Sequence, residues 1–370
     1  MPSPFPVHSR LAASFLPRTA VLEMTYRCSH ACLFCSCPWY APGGRFDERT
    51  ELGTGQWKEV LARLCRMGVT ELCFTGGEPL LKEDLLGLVE FAARCRSEHV
   101  RSEGEELIVE VKPPHLHLLT NGLAMSEEVL ALCKRHQVHL GMSLPGLTTF
   151  REHTQRSEPQ GVLRWFRRAA EEGVRTHVGI TVTRKNLHEL YETMAEALLA
   201  GAGEVLLNRF MPGGRGLVHA RDLMLDADGI RQMLATAEQV LRLANRHGNV
   251  GTELPRCLFD ASAHTHLKVG SDCAAAIEFF VVDPSGYVRA CNHSPERLVP
   301  FEQIEALKDH PVWRRFVARE HQPAACAGCA LASCCAGGCR EAARIWNGQL
   351  DSLDPVFEGG CLPKPVPRSG

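Results

Sequence analysis

Neither sign of charge predominates in this chain of 370 residues: 41 lysines and arginines stand against 43 aspartates and glutamates, a formal net charge of -2. No global field draws it to nucleic acid or to an anionic membrane, so recognition has to be local. Long apolar runs are missing too. The longest is of the AAAIEFFVV kind, at 274–282, well short of the roughly 18 to 20 residues that cross a bilayer. No membrane-spanning helix is expected. The first twenty residues hold three early prolines and no apolar core of a secretion signal, and read as the start of a mature cytoplasmic protein. No internal repeat is found.

Cysteine, by contrast, is abundant. The chain has 17, and in a reducing compartment structural disulfides are disfavoured, which leaves metal or cluster ligation as the natural use. Cys65, Cys73, Cys95 and Cys133 sit singly within apolar patterns and read as small buried hydrophobes. With 45% hydrophobic residues the chain can bury a large core, and its length suits two domains.

Hydrophobic periodicity organises the first part. Strand-like runs TAVLEMTY, ELCFTG, HLHLLTNG, VHLGMSL, RTHVGITVT and EVLLNRF alternate with helical patterns near 55–67, 82–96, 126–136, 161–173 and 187–200. This is an α/β pattern, and it predicts a partial (β/α)6 barrel of the TIM type. Residues 97–106, SEHVRSEGEE, are charged and contain glycine, and are expected to form a solvated surface insertion. A helix follows at about 226–247, then a hairpin about Pro284-Ser285-Gly286, then a loop-rich segment crowded with cysteine. The resulting division is an extension at 1–18, a barrel at 19–215, a linking helix at 216–250 and a cysteine-rich domain at 251–370.

Four cysteines, Cys28, Cys32, Cys35 and Cys37, fall within ten positions. A closed zinc site would use all four. Three on a [4Fe–4S] cluster would leave one iron open to a small molecule, and the first three lie at the C-terminal edge of the first strand, where a barrel collects its reactive groups.

The stretch CSHACLFC resembles the CxxxCxxC motif of the radical S-adenosylmethionine (SAM) enzymes. That resemblance implies that Cys28, Cys32 and Cys35 hold the cluster, that its open iron chelates the amino and carboxylate groups of SAM, and that Phe34 lies beside the adenine. Gly76-Gly77-Glu78-Pro79 is similar to the family's GGEP loop, which meets the SAM ammonium group. Thr120-Asn121-Gly122 resembles the family's TNG segment, and MSLPG its S-L-D-G segment, with Ser143 near the SAM ribose or carboxylate. Pro145 stands where many relatives have Asp, so that side chain's role is absent or moved. HTQRSEPQGVL points to Arg156 as the partner of the SAM carboxylate, while Asn186 and Arg209 match looser patterns. The likeness covers about 19–215. Cys37 is then surplus, unless it donates a hydrogen atom and makes the enzyme an epimerase.

The later cysteines resemble the seven-cysteine SPASM pattern: Cys273, Gly286-x4-Cys291, Cys326-x2-Cys329-x5-Cys335-x3-Cys339, and Cys361. This implies two auxiliary [4Fe–4S] clusters, making three with the N-terminal one. Cys273, Cys291 and Cys339 would bind the first, Cys326, Cys329, Cys335 and Cys361 the second. The first lacks one ligand and is either closed by Cys257 or open to substrate, the open site being favoured. Cys334 reads as a bystander, and a pair of zinc sites is the rival reading.

The function implied is cleavage of SAM to a 5'-deoxyadenosyl radical that abstracts a hydrogen atom from a peptide, forming a thioether or carbon–carbon crosslink in a ribosomally made precursor. Alternatives are a protein dehydrogenase resembling sulfatase maturases, a peptide epimerase, and a small-molecule or tetrapyrrole enzyme. Outside catalysis, an Fe–S electron carrier or a zinc-binding module competes. The expected partners are a precursor peptide or protein and a flavodoxin- or ferredoxin-type electron donor; the first strand near residue 19 leaves no room for a fused winged-helix domain, so a leader would be bound by a separate leader-binding protein, by the barrel surface, or not at all. Residues 97–106 and the loop 38–44, with Trp39 and Tyr40, are candidate substrate contacts.

Overall fold

The computed structural model describes residues 15–43, 46–47, 50–103, 106–156 and 158–357. Cys361 and Gly44 lie outside them.

The strands, in chain order, are β1 (Thr19–Glu23), β2 (Glu71–Thr75), β3 (Ser97–Glu103), β4 (Glu106–Lys112), β5 (His115–Thr120), β6 (His139–Ser143), β7 (Thr176–Val182), β8 (Glu204–Arg209), β9 (Gly248–Val250), β10 (Leu267–Val269), β11 (Phe279–Val282), β12 (Tyr287–Arg289) and β13 (Val299–Pro300). The helices are α1 (Thr54–Arg66), α2 (Leu85–Arg94), α3 (Glu127–His136), α4 (Phe150–Thr154), α5 (Pro159–Glu171), α6 (Leu190–Leu199), α7 (Ala220–Leu223), α8 (Ala227–Ala244), α9 (Pro311–Val317) and α10 (Arg340–Asn347). None of the described helices is long and apolar enough to cross a membrane.

Their ends follow local chemistry. Ser126 accepts from the Val129 N–H at the start of α3, and Asp226 does the same from Gly229 for α8. Pro159 opens α5, where its missing N–H costs nothing, and the helix buries Val162, Leu163, Phe166 and Ala169 at helical spacing.

All six strands expected of the barrel form, and they run parallel in the order β8-β7-β6-β5-β2-β1. One face of each packs under the helices, with Leu22, Phe74, Leu118, Leu140, Val178 and Leu207 fully or almost fully buried. The other face is half-open and carries His117, His139 and His177 on neighbouring strands, His177 in contact distance of His139 at 3.2 Å. Gly141 leaves the space the His177 ring fills.

The sheet does not stop at six strands. β9 and β10 continue it beyond β8, and β11 lies parallel to β1 with Thr19 opposite Phe279. The hairpin about Pro284–Gly286 and β13 then finish that edge, so one hydrogen-bonded sheet runs through both cysteine-bearing regions.

Residues 97–106 correct an expectation. In place of a loop, residues 97–103 form β3, paired antiparallel with β4 from Ser97↔Lys112 to Glu103↔Glu106. The charge of β3 suggested solvent, but ELIVEVK follows directly and supplies a β-branched partner strand. Cys65, Cys95 and Cys133 are buried as expected, while Cys73 is half-exposed on the open face of β2. Cys65 and Cys95 are not solitary: their interaction lowers the pKa of Cys65 and raises that of Cys95, whose thiol donates to Phe91 O at 3.5 Å.

Candidate active site

The chain leaves β1 at Glu23 and must turn across the mouth of the sheet. Backbone contact with the loop after β2 fixes the turn: Gly77 N–H donates to Thr25 O and Glu78 N–H to Arg27 O, both at 2.8 Å. A Cβ on Gly76, at φ +140°, would lie 2.7 Å from Thr25 O, and one on Gly77 would overlap Arg27 O. Here the freedom of both glycines lets backbone lie against backbone. Glu51 secures the other side, accepting from Thr25 Oγ1 and Tyr26 N at 2.8 Å. Cys28 follows directly.

Glu78 is fully buried and joins three strand ends. Its Oε1 accepts from Thr120 Oγ1 at 2.7 Å and Leu80 N at 3.1 Å, and its Oε2 from Asn121 N at 2.8 Å. Burial raises its pKa while these donors oppose the rise. Pro79, also buried, opens the short 3-10 turn 79–81. Asn121 in turn reaches the cysteine loop, donating from Nδ2 to Ser29 Oγ at 3.0 Å and to Cys28 Sγ at 3.8 Å.

The far end of the loop rests on two other elements. Ala31 N–H and Leu33 N–H donate to Thr154 O and His153 O at the end of α4, at 3.1 and 2.9 Å. Gly216 N–H donates to Cys35 O at 2.9 Å, and a Cβ on Gly214 would come within 2.6 Å of the same oxygen, so the turn after β8 packs on residues 35–37. From that turn Arg215 donates to Cys32 O at 3.4 Å and covers the Tyr40 ring. Burial and the neighbouring thiols push Cys32 up, and the Arg215 charge opposes that rise.

Cys28, Cys32 and Cys35 are thus half-buried on one loop at the C-terminal mouth of the parallel strands. Their thiols influence one another, and burial pushes Cys28 up to about 11. Cys37 directs its thiol to Gly76 O at 3.9 Å, and its interaction with Cys35 holds Cys35 low and leaves Cys37 well above its ordinary range. Three soft thiolate donors fit three corners of an iron–sulfur cube. Among the described residues no three Cys, His, Asp or Glu side chains converge on one metal ion. A cube holds each thiolate on a different iron and asks for no such convergence.

Phe34 packs beside Phe210, Leu223 and Met224, 5.8 Å from the His153 ring. Ser143 is exposed at the end of β6, and Arg156 is exposed just past α4. Burial first and the Arg156 charge second hold His30, on the cysteine loop, down to about 4. Asn186 is buried, donating to Pro145 O at 3.0 Å and Thr181 O at 2.9 Å. Trp39 and Tyr40 both donate to Tyr26 O, at 3.1 and 2.6 Å, and pack the mouth.

Sequence reasoning missed Glu189. From the loop after β7 its carboxylate accepts from Thr148 N and Thr148 Oγ1 at 2.7 Å and from Thr149 N at 3.0 Å. These bonds hold its pKa down although burial works against them. Gly146 has no room for a side chain beside it. A carboxylate from the next loop therefore organises the segment in which Pro145 replaces the family's Asp. Its spacing carried no signal.

The C-terminal cysteines fall into two groups. Cys273, Cys291 and Cys339 are buried, and a charged residue stands at the backbone beside each, half-buried Glu253 at Cys273 and buried Arg289 and Asp354 at the other two. Glu253 accepts from Ala274 N at 3.1 Å. Arg289 pairs with Glu23 of β1 and donates to Ser294 O at 2.5 Å and Asn292 O at 3.2 Å, closing the loop round Cys291. Asp354 accepts from Cys339 N at 2.9 Å and pairs with Arg209 of β8, 2.8 Å from Nη1 to Oδ1.

Cys326, Cys329 and Cys335 line a separate cavity with Cys257, Pro255, Gln322 and Phe357. Cys257 therefore stands with the second group, where sequence placed it nearest the first. The reason is Pro255, which occupies the space left by Gly338 and brings residues 256–258 across the second group. Cys334 is exposed and directs its thiol to Leu331 O at 3.4 Å.

Residues 22–197, from within β1 to within α6, match the model of the Radical SAM superfamily, whose cofactors are SAM and a [4Fe–4S] cluster. The PqqA peptide cyclase of Rhodopseudomonas palustris is 26% identical over 357 residues, covering 92% of this chain and 86% of that protein. The mycofactocin maturase MftC of Mycolicibacterium smegmatis is 29% identical over 359 residues, 92% and 83% of the two. Streptococcus suis SuiB bound to its precursor peptide SuiA shares the fold, with a TM-score of 0.69 at 13% identity over 93% of this chain and 76% of that one. The matched segment contains Cys28, Cys32 and Cys35 and the loops after β2 and β5 that hold them, the turn after β8 lying beyond it, and over that segment the chain is similar to the radical SAM superfamily of enzymes.

Proposed function

We propose that this enzyme uses SAM to modify a peptide, forming a thioether or carbon–carbon crosslink in a ribosomally made precursor. The observation that carries the reading is the loop of Cys28, Cys32 and Cys35, held at the sheet mouth between the Glu78–Asn121 staple and Arg215. The relatives named a peptide cyclase and a maturase, and a neighbour in fold solved with a precursor peptide, support a peptide substrate.

When bound, the cluster and SAM would supply a 5'-deoxyadenosyl radical by one-electron reduction, able to take hydrogen from an unactivated C–H bond. Cys28, Cys32 and Cys35 hold the cluster. Gly76, Gly77, Glu78 and Pro79 would meet the SAM ammonium group. The Glu78 carboxylate is engaged by three donors, which fixes the shape of this loop. Phe34 borders the adenine, Asn121 holds the cysteine loop, and Ser143 and Arg156, both exposed at the mouth, take the ribose and carboxylate. Trp39, Tyr40 and Tyr26 narrow the entrance and exclude water.

The two C-terminal thiol groups hold two auxiliary [4Fe–4S] clusters. Cys273, Cys291 and Cys339 would hold the first. The second rests on Cys326, Cys329, Cys335 and a fourth thiol, which the family pattern puts at Cys361. A flavodoxin- or ferredoxin-type donor supplies the electron, and a separate protein presents the precursor's leader.

Anaerobic reconstitution with iron and sulfide, then SAM and dithionite, should yield 5'-deoxyadenosine. Co-expression with a candidate precursor should give a product lighter by two hydrogen atoms. A product of unchanged mass with an inverted centre would replace crosslinking by epimerisation, and absence of 5'-deoxyadenosine would sink the reading.

A further inference from the structure

Within the reading that the C-terminal domain carries auxiliary clusters, we infer that Cys257, in place of Cys361, is the fourth thiolate of the second one. Four thiolates close a [4Fe–4S] cube. Cys326, Cys329 and Cys335 supply three, and Cys257 lines the same cavity.

The backbone beside Cys257 is attached to the group. Arg256 N–H donates to Cys335 Sγ at 3.3 Å, so the residue next to Cys257 already touches one of the three sulfurs. Gly337 N–H donates to the same sulfur at 3.2 Å, and Leu331 N–H to Cys329 Sγ at 3.5 Å. Peptide donors aimed at sulfur favour thiolates over thiols and are a feature of cluster cradles.

The position of Cys257 is also well determined. It sits in the turn 256–258, closed by Leu258 N–H to Pro255 O at 3.0 Å, with Leu258 and Phe259 buried. Gln322 spans the cavity rim, its Nε2 3.4 Å from Ala332 O. Cys334 is no competitor, since it is exposed and turned to Leu331 O.

The rival is Cys361. Phe357 lines the same cavity, and four further residues can span roughly 13 Å, enough to bring a thiol there. Two variants of the full chain decide between them, Cys257→Ala and Cys361→Ala, each reconstituted anaerobically beside the unaltered chain. Iron is counted, and the clusters are read by electron paramagnetic resonance and Mössbauer spectroscopy.

The unaltered chain should carry about twelve irons, four for each of three clusters. Cys257→Ala should fall to about eight, or show a [3Fe–4S] signal, with far-UV circular dichroism unchanged. Cys361→Ala should stay near twelve. The inference is overturned if Cys361→Ala loses the cluster, or if Cys257→Ala keeps it intact. Should the alanine variant fail to fold, Cys257→Ser is read instead, with an altered second-cluster spectrum expected and an unaltered one decisive against. An unaltered chain that stops at about four irons defeats the auxiliary-cluster reading itself, a different failure.

Discussion

The two cysteine regions are held by different means. At the N-terminal loop the thiols are half-exposed and the loop is placed by main-chain hydrogen bonds, close glycine contacts and one buried carboxylate, Glu78. Cys273, Cys291 and Cys339 are 6% to 8% exposed and placed by charged residues, two of which are buried in pairs that reach back to β1 and β8. The difference suits what each must do. A site that admits a small molecule needs an open face and a stiff backbone behind it. A buried site must be tied to the body of the protein, and a buried pair serves while both partners remain.

The comparison can be broken most severely at Asp354. Asp354→Ala leaves Arg209 charged, buried and unpaired, and frees the Cys339 N–H. A loss of about 3–5 kcal/mol is expected in urea unfolding, with less iron bound at the buried thiols. Replacing both partners by apolar residues, Arg209→Met with Asp354→Leu, should recover most of the stability.

Next in size is Gly77→Ala at the N-terminal loop. The added methyl meets the Arg27 carbonyl, which is backbone and cannot turn aside. Overpacking of this kind costs about 2–3 kcal/mol, and 5'-deoxyadenosine formation should fall with it while the C-terminal iron is retained. If that iron is lost equally, the two regions do not have independent supports.

Glu78→Gln is milder. The amide puts a donor against one of three N–H or O–H donors, a loss of about 1–2 kcal/mol. Reduced SAM cleavage with an intact fold is the expected outcome, and unchanged cleavage would mean that the staple is dispensable.

The smallest effect belongs to the barrel floor and should touch neither region. Burial first, then His139 and His117, holds His177 down to about 3. The unfolded chain, with an ordinary value near 6.5, binds the proton more readily. Stability contributed by neutral His177 is therefore present above about pH 6.5 and lost as the pH falls towards 3. His177→Gln should flatten that acid slope in thermal unfolding between pH 7 and 5, with iron content unchanged.

Much of the barrel was legible because its signals are local. β7 alternates buried and half-buried residues at every step, and α5 repeats its apolar face at helical spacing. The hairpin β3–β4 was misread because its apolar half lies in the second strand, past the charged stretch that suggested a loop. At the site, the cysteine spacing and the Gly76–Pro79 and Thr120–Gly122 segments stood out, being short and contiguous. Glu189 and Arg215 did not, since each acts on a loop far from its own in sequence.

The sequence by itself determined the βα repeat, the three-thiol loop after the first strand and the count of cysteines that follow. Only the tertiary structure decided how those cysteines divide. Cys257 joins Cys326, Cys329 and Cys335 across a gap that no spacing rule spans. The pairs that place Cys339 and Cys291 link residues 145 and 266 positions apart. Periodicity and turn chemistry act over a few residues and can be read along the chain, whereas a buried pair or a shared cavity exists only after the sheet brings distant segments together.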